Sequence, residues 1–456
     1  MRSTWTSPKQ PPVVKGPPLI GNLIPMTKDP LPFFVDSYRT YGPVFRIRVL
    51  QNSWVVMAGV DANNFLGRDG HRCLSTEPVN YGFLDAVGTK SSLVAIDGDR
   101  HAHLRRIQAR PHSPEASERK LPALLRLAEE MVRALPVGPP IDLLRPAKML
   151  VTRQLGTALV RKDPIEIFDD LDYLLRVIAN VTQLKKWPPI LLKMPRYRNA
   201  RARVQAVARQ AMWEHKEHPS PPGEEDLIDA LVAARDEAGN PLAEEVYMAA
   251  TFGGLAGGLE TVASSFGFAV YAMLKHPAVL AEVEAEVERE LGATPTLAML
   301  ERMPALYGVV LETLRVYPPI VTLLRQVIEP FEFGGYRIAR GENLFLPTIV
   351  PHFLAEHFPE PERFDITRYR APRNEHRAVK GAFAPYGRGV HQCLGASLAE
   401  VILMLSLATL VRDVRLELVP RDYTMTKVHL SPLRVPDRKF RVRVVERRTA
   451  RAPVTA

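Results

Sequence analysis

One stretch of the sequence, residues 244–274, constrains the fold more than any other, because it predicts an unusually long apolar helix. A helix that is apolar on all sides either spans a membrane or lies buried inside a large protein. Glu260 stands at the middle of this stretch, and an acidic residue there favours the buried position. We therefore predict a long helix buried in the core of a largely helical protein.

Two adjacent glycines, Gly257 and Gly258, precede Glu260 and Thr261 in this helix. Each glycine costs a helix interior about 1 kcal/mol relative to alanine, so the pair needs an explanation. One explanation is close packing against a second helix. The other is a groove in which a ligand lies against the backbone, and there the acid and the alcohol that follow would serve proton delivery.

A second stretch, from Tyr386 to Gly395, places one cysteine in a glycine-rich turn before an apolar helical pattern. Cys393 is therefore predicted at a loop-to-helix junction. Exposed backbone N–H groups and the helix dipole at such a junction favour a thiolate over a thiol. Thiolate ligation of haem iron is one chemistry that needs this arrangement, whereas a lone cysteine is more often buried and inert.

The cysteine segment resembles the haem-ligand signature of the cytochrome P-450 family, which has an aromatic residue, a glycine, a basic residue, a cysteine and a glycine at fixed spacing. Tyr386, Gly389, His391, Cys393 and Gly395 fill these positions, with tyrosine where the family usually has phenylalanine. The resemblance extends over roughly residues 17–445 and includes three further motifs in the family's order. It implies a cytochrome P-450 fold, mainly α with a small β region.

The resemblance also implies roles for individual residues around a haem b group. Cys393 is expected to ligate the iron, with Tyr386 and Gly395 beside the haem. The residues expected to bind the haem propionates are His101, Arg105, Arg325 and His391. Glu260 and Thr261 match the family's oxygen-activation motif and are expected to guide protons to the oxygen.

A further motif is expected to be structural. Glu312 and Arg315 stand three residues apart on a predicted helix, where an exposed ion pair would contribute only a few tenths of a kcal/mol. In the family this pair is buried and joined by an arginine from a later Pro-Glu-Arg-Phe segment, which here implies Arg363. The expected apolar substrate pocket comprises Phe83, Leu84, Leu255, Ala256, Ile320, Val321 and Met425.

The composition is that of an ordinary globular protein. The 456 residues carry a net charge of +10 and include only two cysteines, so we expect a soluble protein in a reducing compartment such as the cytoplasm. Neither a nucleic-acid recognition motif nor a membrane anchor is recognisable. Because 63 residues follow Cys393, too few for a flavin reductase domain, the resemblance implies a separate ferredoxin or flavodoxin with its NAD(P)H-dependent reductase.

The implied reaction inserts one oxygen atom from O2 into an apolar organic substrate, by hydroxylation or epoxidation. Two alternatives stay open: a haem-thiolate isomerase or peroxide-dependent oxygenase, and a haem-binding sensor or carrier that is not an enzyme. The Glu260–Thr261 pair argues against the first, because those enzymes need no proton relay for O2. The apolar pocket suggests a terpenoid, steroid, fatty acid or polyketide-like substrate.

The expected domain organisation is a proline-rich arm (residues 1–16), a single cytochrome P-450 domain (17–446) and a C-terminal tail (447–456). Residues 78–94 show no clear periodicity and are predicted to be irregular. Residues 184–195 contain three prolines, which exclude a continuous helix. This segment either packs as an ordinary apolar loop or forms a mobile lid over the substrate entrance.

Overall fold

The computed structural model describes residues 10–426, 428–430 and 433–448, so most of the predicted C-terminal tail and the first nine residues of the predicted arm lie outside it. Helices dominate the described residues, as predicted. The α-helices are α1 (Leu23–Lys28), α2 (Pro30–Tyr41), α3 (Val60–Arg68), α4 (Gly70–Cys73), α5 (Glu77–Val87), α6 (Gly98–Ala109), α7 (Pro114–Glu118), α8 (Leu121–Ala134), α9 (Leu144–Val160), α10 (Phe168–Ile178), α11 (Pro195–Glu217), α12 (Leu227–Ala233), α13 (Glu244–Lys275), α14 (Pro277–Glu290), α15 (Leu297–Glu301), α16 (Pro304–Val316), α17 (Glu375–Ala378) and α18 (Ala396–Asp413).

The strands form small sheets, which confirms the predicted small β region. They are β1 (Val44–Val49), β2 (Asn52–Met57), β3 (Leu74–Ser75), β4 (Pro140–Ile141), β5 (Leu323–Val327), β6 (Phe331–Phe333), β7 (Tyr336–Ile338), β8 (Asn343–Leu346), β9 (Val414–Leu418), β10 (His429–Leu430), β11 (Arg434–Val435) and β12 (Val442–Arg447). One sheet has the order β1-β2-β8-β5-β3 and another β4-β12-β9, while β6–β7 and β10–β11 are two-stranded. Only β2 and β8 pair in parallel within the first sheet.

The chain ahead of the first helix already belongs to the first sheet. Val14 N–H donates to the Arg46 carbonyl at 2.8 Å, and Arg46 N–H donates to the Pro12 carbonyl at 2.7 Å. Within β1, Phe45 and Ile47 are fully buried while Arg48 between Ile47 and Val49 is exposed, as expected for the alternating faces of a strand. The described part of the proline-rich arm is therefore extended and lies along β1.

The long helix α13 crosses the main apolar core, and its two adjacent glycines have different surroundings. A Cβ atom on Gly258 would lie 2.7 Å from Leu155 Cδ1 of α9, and one on Gly254 would lie 2.9 Å from Leu159 Cδ1, so these two glycines allow close helix packing. A Cβ atom on Gly257 would meet nothing within 4 Å. Close packing therefore explains Gly258, and the space beside Gly257 leaves room for the groove that the second explanation predicts.

Residues 78–94 differ from the prediction, because residues 78–87 belong to helix α5 (Glu77–Val87). The helix ends at Gly88, whose φ of 80° lies in the left-handed region. Tyr197 of α11 donates its hydroxyl hydrogen to the Ala86 carbonyl at 2.7 Å. This support comes from a residue far along the chain, which is why local periodicity did not indicate the helix.

The proline-containing segment 184–195 has no continuous helix, as predicted, and contains only a 3-10 turn at Pro189–Lys193. Ile190 is 61% exposed and Trp187 is 37% exposed, whereas Leu191 packs partly buried against the main core. Among the helices of the described residues, none combines the length and the apolar character needed to cross a bilayer.

Candidate haem site

The cysteine loop is shaped by one backbone hydrogen bond and by glycine. Cys393 N–H donates to the Tyr386 carbonyl at 2.9 Å, which closes the loop. Gly389 has a φ of 81°, and a Cβ atom there would lie 2.5 Å from the Leu66 carbonyl oxygen. Helix α18 begins three residues after Cys393. The predicted loop-to-helix junction is thus confirmed.

Groups around the Cys393 sulfur shift the pKa of its thiol in opposite directions. The side chain is exposed, but desolvation by the protein around its recess raises the pKa of the thiol above its usual value. The Gly395 N–H, which donates to the sulfur, and the positive charge of Arg105 both act in the other direction. A metal cation on the sulfur would complete the deprotonation.

Two histidine rings lie together beside this loop. The ring centroids of His101, on α6, and His391 are 4.1 Å apart. His101 is buried, its Nε2 atom has no hydrogen-bond partner, and burial together with the charges of His391 and Arg105 lowers its pKa to about 4. His391 Nε2 lies 2.9 Å from Asp97 Oδ1. Only the other ring nitrogen of His391 is therefore left for the expected propionate contact.

Arg325 of β5 adds a buried cation on the same side. It is 8% exposed, and its Nη1 donates to the Leu324 carbonyl at 2.7 Å. Within the described residues no carboxylate lies in salt-bridge distance of its guanidinium, and burial lowers its pKa to about 10 although the more distant charge of Asp97 opposes that fall. An uncompensated buried cation is costly unless an anion joins it. Arg325 and the unpartnered His101 nitrogen therefore fit an anionic group such as a haem propionate.

The middle of α13 is open on one face, although most of the helix is buried. Gly253 and Gly257 are exposed, and a Cβ atom on either would meet nothing within 4 Å. Ala256 and Thr261 are half-buried on the same stretch. Thr261 donates its hydroxyl hydrogen to the Gly257 carbonyl at 2.8 Å. This open face can accept a flat group against the helix backbone.

The Glu260 carboxylate forms an ion pair with a lysine. Its Oε1 atom lies 3.1 Å from Lys148 Nζ of α9, and the same Nζ lies 2.9 Å from Asp172 Oδ1 of α10. Burial raises the pKa of Glu260, while the charge of Lys148 opposes that rise. The Asp172 side chain is 23% exposed and the Glu260 side chain 10% exposed. The three groups therefore form a chain from near the surface to the buried helix.

The structural motif around Glu312 is buried, as predicted, but its third member differs. Arg315 donates to both Glu312 oxygens at 2.7 and 2.8 Å, and both side chains are fully buried. Arg368, also fully buried, contacts Glu312 Oε1 at 3.2 Å. The Arg363 side chain is 66% exposed and pairs with Glu360 instead. The prediction for Arg363 was wrong.

The backbone explains this exchange. A 3-10 turn at Ile366–Tyr369 directs Arg368 inward, and Tyr369 also donates its hydroxyl to Glu312 at 2.6 Å. Arg363 contributes only its carbonyl, which accepts from Arg315 Nη2 at 3.2 Å.

Three of the expected pocket residues pack against other parts of the protein. Leu255 is 1% exposed and stands two residues before Gly257, hence on nearly the opposite side of the helix, in the main core. Val321 is buried with Phe34 in the core of the first sheet.

Met425 is anchored at the far end of α13. Its N–H donates to the Tyr271 hydroxyl at 2.9 Å, and Tyr271 lies ten residues after Thr261, about 15 Å along the helix. These positions give no support to the expected pocket roles of Leu255, Val321 and Met425, which stay predictions. Among the other expected lining residues, Ile320 is exposed, Phe83 and Ala256 are half-buried, and Leu84 is buried.

The sequence reasoning missed four residues around the site. Arg368 had a signal, because it lies five positions after Arg363 in the same segment. Asp97, which directly precedes helix α6, could have been noticed as an acid beside the histidine motif. Lys148 and Asp172 carry no sequence signal, since only the packing of α9 and α10 brings them to Glu260.

A mainly helical fold, a cysteine before a helix, buried cationic groups and an open helix face together fit a protein that binds haem through a cysteine. The chain belongs to the cytochrome P-450 family, whose family model, described as Cytochrome P-450, matches residues 11–444.

Curated relatives agree with this family. A cyclooctat-9-en-7-ol 5-monooxygenase of Streptomyces melanosporofaciens is 32% identical over 263 residues, which is 55% of this chain and 56% of the relative. An abscisic acid 8'-hydroxylase of Solanum lycopersicum is 26% identical over 428 residues, 90% of this chain and 86% of the relative. The solved structure of retinoic acid bound cyanobacterial CYP120A1 has a TM-score of 0.83 at 22% identity, covering 96% of this chain and 99% of that one.

Family membership gives the general activity. The chain is a cytochrome P-450 monooxygenase, an oxidoreductase that uses haem b, O2 and electrons derived from NAD(P)H through a redox partner.

Proposed function

We propose that the haem lies between the cysteine loop and the open face of α13. Cys393 is the iron ligand. The propionate-binding residues are His101, Arg105, Arg325 and the free ring nitrogen of His391. Bound there, the haem supplies thiolate-ligated iron, which activates O2 toward O–O cleavage. The unpartnered His101 Nε2 and the buried Arg325, which has no salt bridge among the described residues, support this placement, because both can donate hydrogen bonds to an anion.

Thr261 orients protons at the oxygen. Because its hydroxyl hydrogen is donated to the Gly257 carbonyl, its oxygen lone pairs are left to accept a hydrogen bond from a water molecule. The absence of a side chain on Gly257 leaves room for that water. Thr261 would thereby hold a proton donor beside the position at which O2 is reduced.

Glu260 resupplies these protons from the surface. Lys148 Nζ is within hydrogen-bond distance of both Glu260 and Asp172, so a proton can pass along three groups in contact. The raised pKa of Glu260, caused mainly by burial, brings its proton affinity closer to neutral pH. This arrangement favours an O2-dependent reaction over the peroxide-dependent and isomerase alternatives.

The substrate is a largely hydrocarbon molecule of the terpenoid type. The relative that acts on cyclooctat-9-en-7-ol and the solved structure that binds retinoic acid both take mainly apolar compounds with one oxygen function. The residues expected to line the pocket, Phe83, Leu84, Ala256 and Ile320, have no charged group. Apolar pocket walls of this kind bind such molecules chiefly by excluding water.

The electron donor is an acidic ferredoxin or flavodoxin with its reductase. The net charge of +10 supports this choice, because opposite charge speeds the encounter of the two proteins. The two free cysteines suit a reducing compartment such as the cytoplasm.

The observation that carries the proposal is the open stretch of α13 beside Thr261 and Glu260. The test is turnover of a terpenoid panel by the haem-loaded protein with ferredoxin, reductase, NADPH and isotopically labelled O2. One labelled oxygen atom in the product is expected. Product without label, or the same product from peroxide at a higher rate without reductant, would contradict it.

A further inference from the structure

Asp97 stands at the N-cap position of α6, yet its side chain does not cap that helix. No hydrogen bond joins its carboxylate to the first turn of α6. An aspartate at this position usually accepts from the backbone N–H groups of its own helix. The carboxylate is turned instead toward two other segments, the start of α5 and the cysteine loop. The contacts that Asp97 makes with those segments therefore account for its orientation.

The two carboxylate oxygens of Asp97 have separate partners. Oδ2 accepts from the Ser75 hydroxyl at 2.6 Å and from the backbone N–H groups of Thr76 and Glu77 at 2.9 and 3.1 Å. Oδ1 lies 2.9 Å from His391 Nε2. Burial acts to raise the pKa of Asp97, but the hydrogen bonds from His391 and Ser75 hold that pKa well below its usual range. One oxygen of an ionised carboxylate thus holds the start of α5, and the other holds the cysteine loop.

The contact with Asp97 fixes the orientation of the His391 ring. Because an ionised carboxylate can only accept, His391 Nε2 carries a hydrogen atom and donates it to Asp97. The other ring nitrogen then faces away from Asp97, since the two nitrogens point to nearly opposite sides of an imidazole. The His101 ring, whose centroid is 4.1 Å away, packs against His391 as well. Asp97 therefore determines the direction of the nitrogen that is left for a propionate.

The charge of Asp97 also acts on the neighbouring cationic groups. It raises the pKa of His101 and of Arg325, whereas burial lowers both. The same charge repels an anion held by the other nitrogen of His391. However, the Asp97 side chain is 26% exposed, so solvent screens this repulsion. The direct contact of 2.9 Å is much shorter, so its orienting effect should outweigh the repulsion.

We propose that Asp97 is a positioning residue for the haem: by holding Nε2 of His391, it directs the opposite ring nitrogen toward a propionate. This inference rests on the proposed function, which assigns a propionate contact to His391. Asp97 acts through His391 and does not itself bind the haem. The same carboxylate joins the cysteine loop to α5, which carries the expected pocket residues Phe83 and Leu84.

The test is a double-mutant cycle with haem-loaded Asp97→Asn, His391→Phe and the double variant. Asparagine keeps one oxygen for the backbone N–H groups at the start of α5 but offers His391 no carboxylate. Phenylalanine keeps a ring beside His101 but has no nitrogen. The readouts are the rate of haem transfer to excess apomyoglobin and the propionate-bending band of the resonance Raman spectrum, which reports hydrogen bonding to the propionates.

Asp97→Asn is expected to speed haem transfer about tenfold, the order of effect found when the partner of a cofactor-binding histidine is removed. It should also shift the propionate band. In the His391→Phe background the same substitution should change the transfer rate by less than about twofold and leave the band in place, because the contact through which Asp97 acts is already absent.

Two further variants separate positioning from support of the fold. Asp99→Asn replaces an exposed acid in the first turn of α6 and should leave the rate of haem transfer within about twofold. Ser75→Ala removes a donor to the other oxygen of Asp97. It should lower the midpoint of urea unfolding without shifting the propionate band.

Equal effects of Asp97→Asn with and without His391, or a band shift in Ser75→Ala, would overturn the inference and mean that Asp97 only supports α5. Slower haem transfer in Asp97→Asn would also overturn it, because repulsion would then dominate. Either result leaves the propionate contact of His391 intact if His391→Phe still speeds haem transfer.

A different result would reach the proposed function itself. If His391→Phe alone changes neither readout, the propionate contact of His391 is refuted, and the role of Asp97 with it. If Asp97→Asn does not retain haem, Asp97→Glu takes its place in the cycle, because it keeps the charge but displaces the oxygens. Its band shift should likewise disappear in the His391→Phe background, and a shift that persists there would refute the inference.

Discussion

Replacing Arg368 by alanine is expected to damage the fold far more than replacing Arg363, although the two arginines lie five residues apart. Arg368 is fully buried and contacts Glu312 at 3.2 Å and Glu375 at 2.8 Å. It also donates to the Pro359 carbonyl at 2.7 Å. Arg363 has an exposed side chain whose one carboxylate partner, Glu360, is also exposed.

The magnitudes follow from these surroundings. Removing one partner of a buried ion pair costs about 3–5 kcal/mol, because the other charge stays buried. The carbonyls that Arg368 leaves unpaired add about 1–3 kcal/mol each if water does not reach them. Removing an exposed partner costs about 0–1 kcal/mol. Against a typical stability of about 5–15 kcal/mol, only Arg368→Ala brings the protein near unfolding.

The assay is urea unfolding of the haem-loaded variants, together with their haem content after matched expression. Arg363→Ala is expected to keep the wild-type midpoint. Arg368→Ala should give little haem-loaded protein, and Arg368→Lys, which keeps a charge but loses the fork, should fall between. Arg363→Ala that loses as much as Arg368→Ala, or Arg368→Ala within about 1 kcal/mol of wild type, would refute the assignment.

Three further predictions concern proton delivery and one buried ion pair. Thr261→Ala should bind haem and substrate and consume reductant, yet release mainly hydrogen peroxide; a wild-type ratio of product to reductant would exclude its hydroxyl from the relay. Lys148→Met should lower kcat at least about tenfold and change the solvent deuterium isotope effect, with an unaltered resting spectrum, because it separates Glu260 from the surface. Burial alone would lower the pKa of His215, but Asp226, 2.9 Å away, raises it above the ordinary 6.5. Its stabilising effect is therefore complete below pH 6.5 and is lost as pH rises through the folded-state pKa, so the free energy of unfolding should fall over that range in wild type and less in His215→Asn.

Features encoded within a short stretch of sequence were predictable. Helix α13 follows the long apolar run almost to its ends, and the junction at Cys393 follows from three glycines and the apolar pattern after them. The burial of Glu312 with Arg315 came from the family resemblance, since spacing alone fits an exposed pair equally well.

Features created by packing between distant segments were not predictable. Helix α5 depends on α11, which supports its last carbonyls, so its own sequence shows no clear periodicity. Arg368 lies in the 3-10 turn at Ile366–Tyr369 and is directed inward, whereas Arg363 precedes that turn, and no local sequence pattern distinguishes the two. The ion pair between Lys148 and Glu260 joins residues more than a hundred positions apart, and no local sequence pattern indicates it.

The central claim is that Cys393 is the thiolate ligand of a haem, and the ferrous carbonyl spectrum tests it most directly. Cys73 is the matched control, since it is the other cysteine of the chain, half-buried and also without a disulfide. Cys393→Ser is expected to lose the red-shifted Soret band of a thiolate-ligated carbonyl complex, while Cys73→Ser keeps it. A normal thiolate-type band from Cys393→Ser would contradict the account.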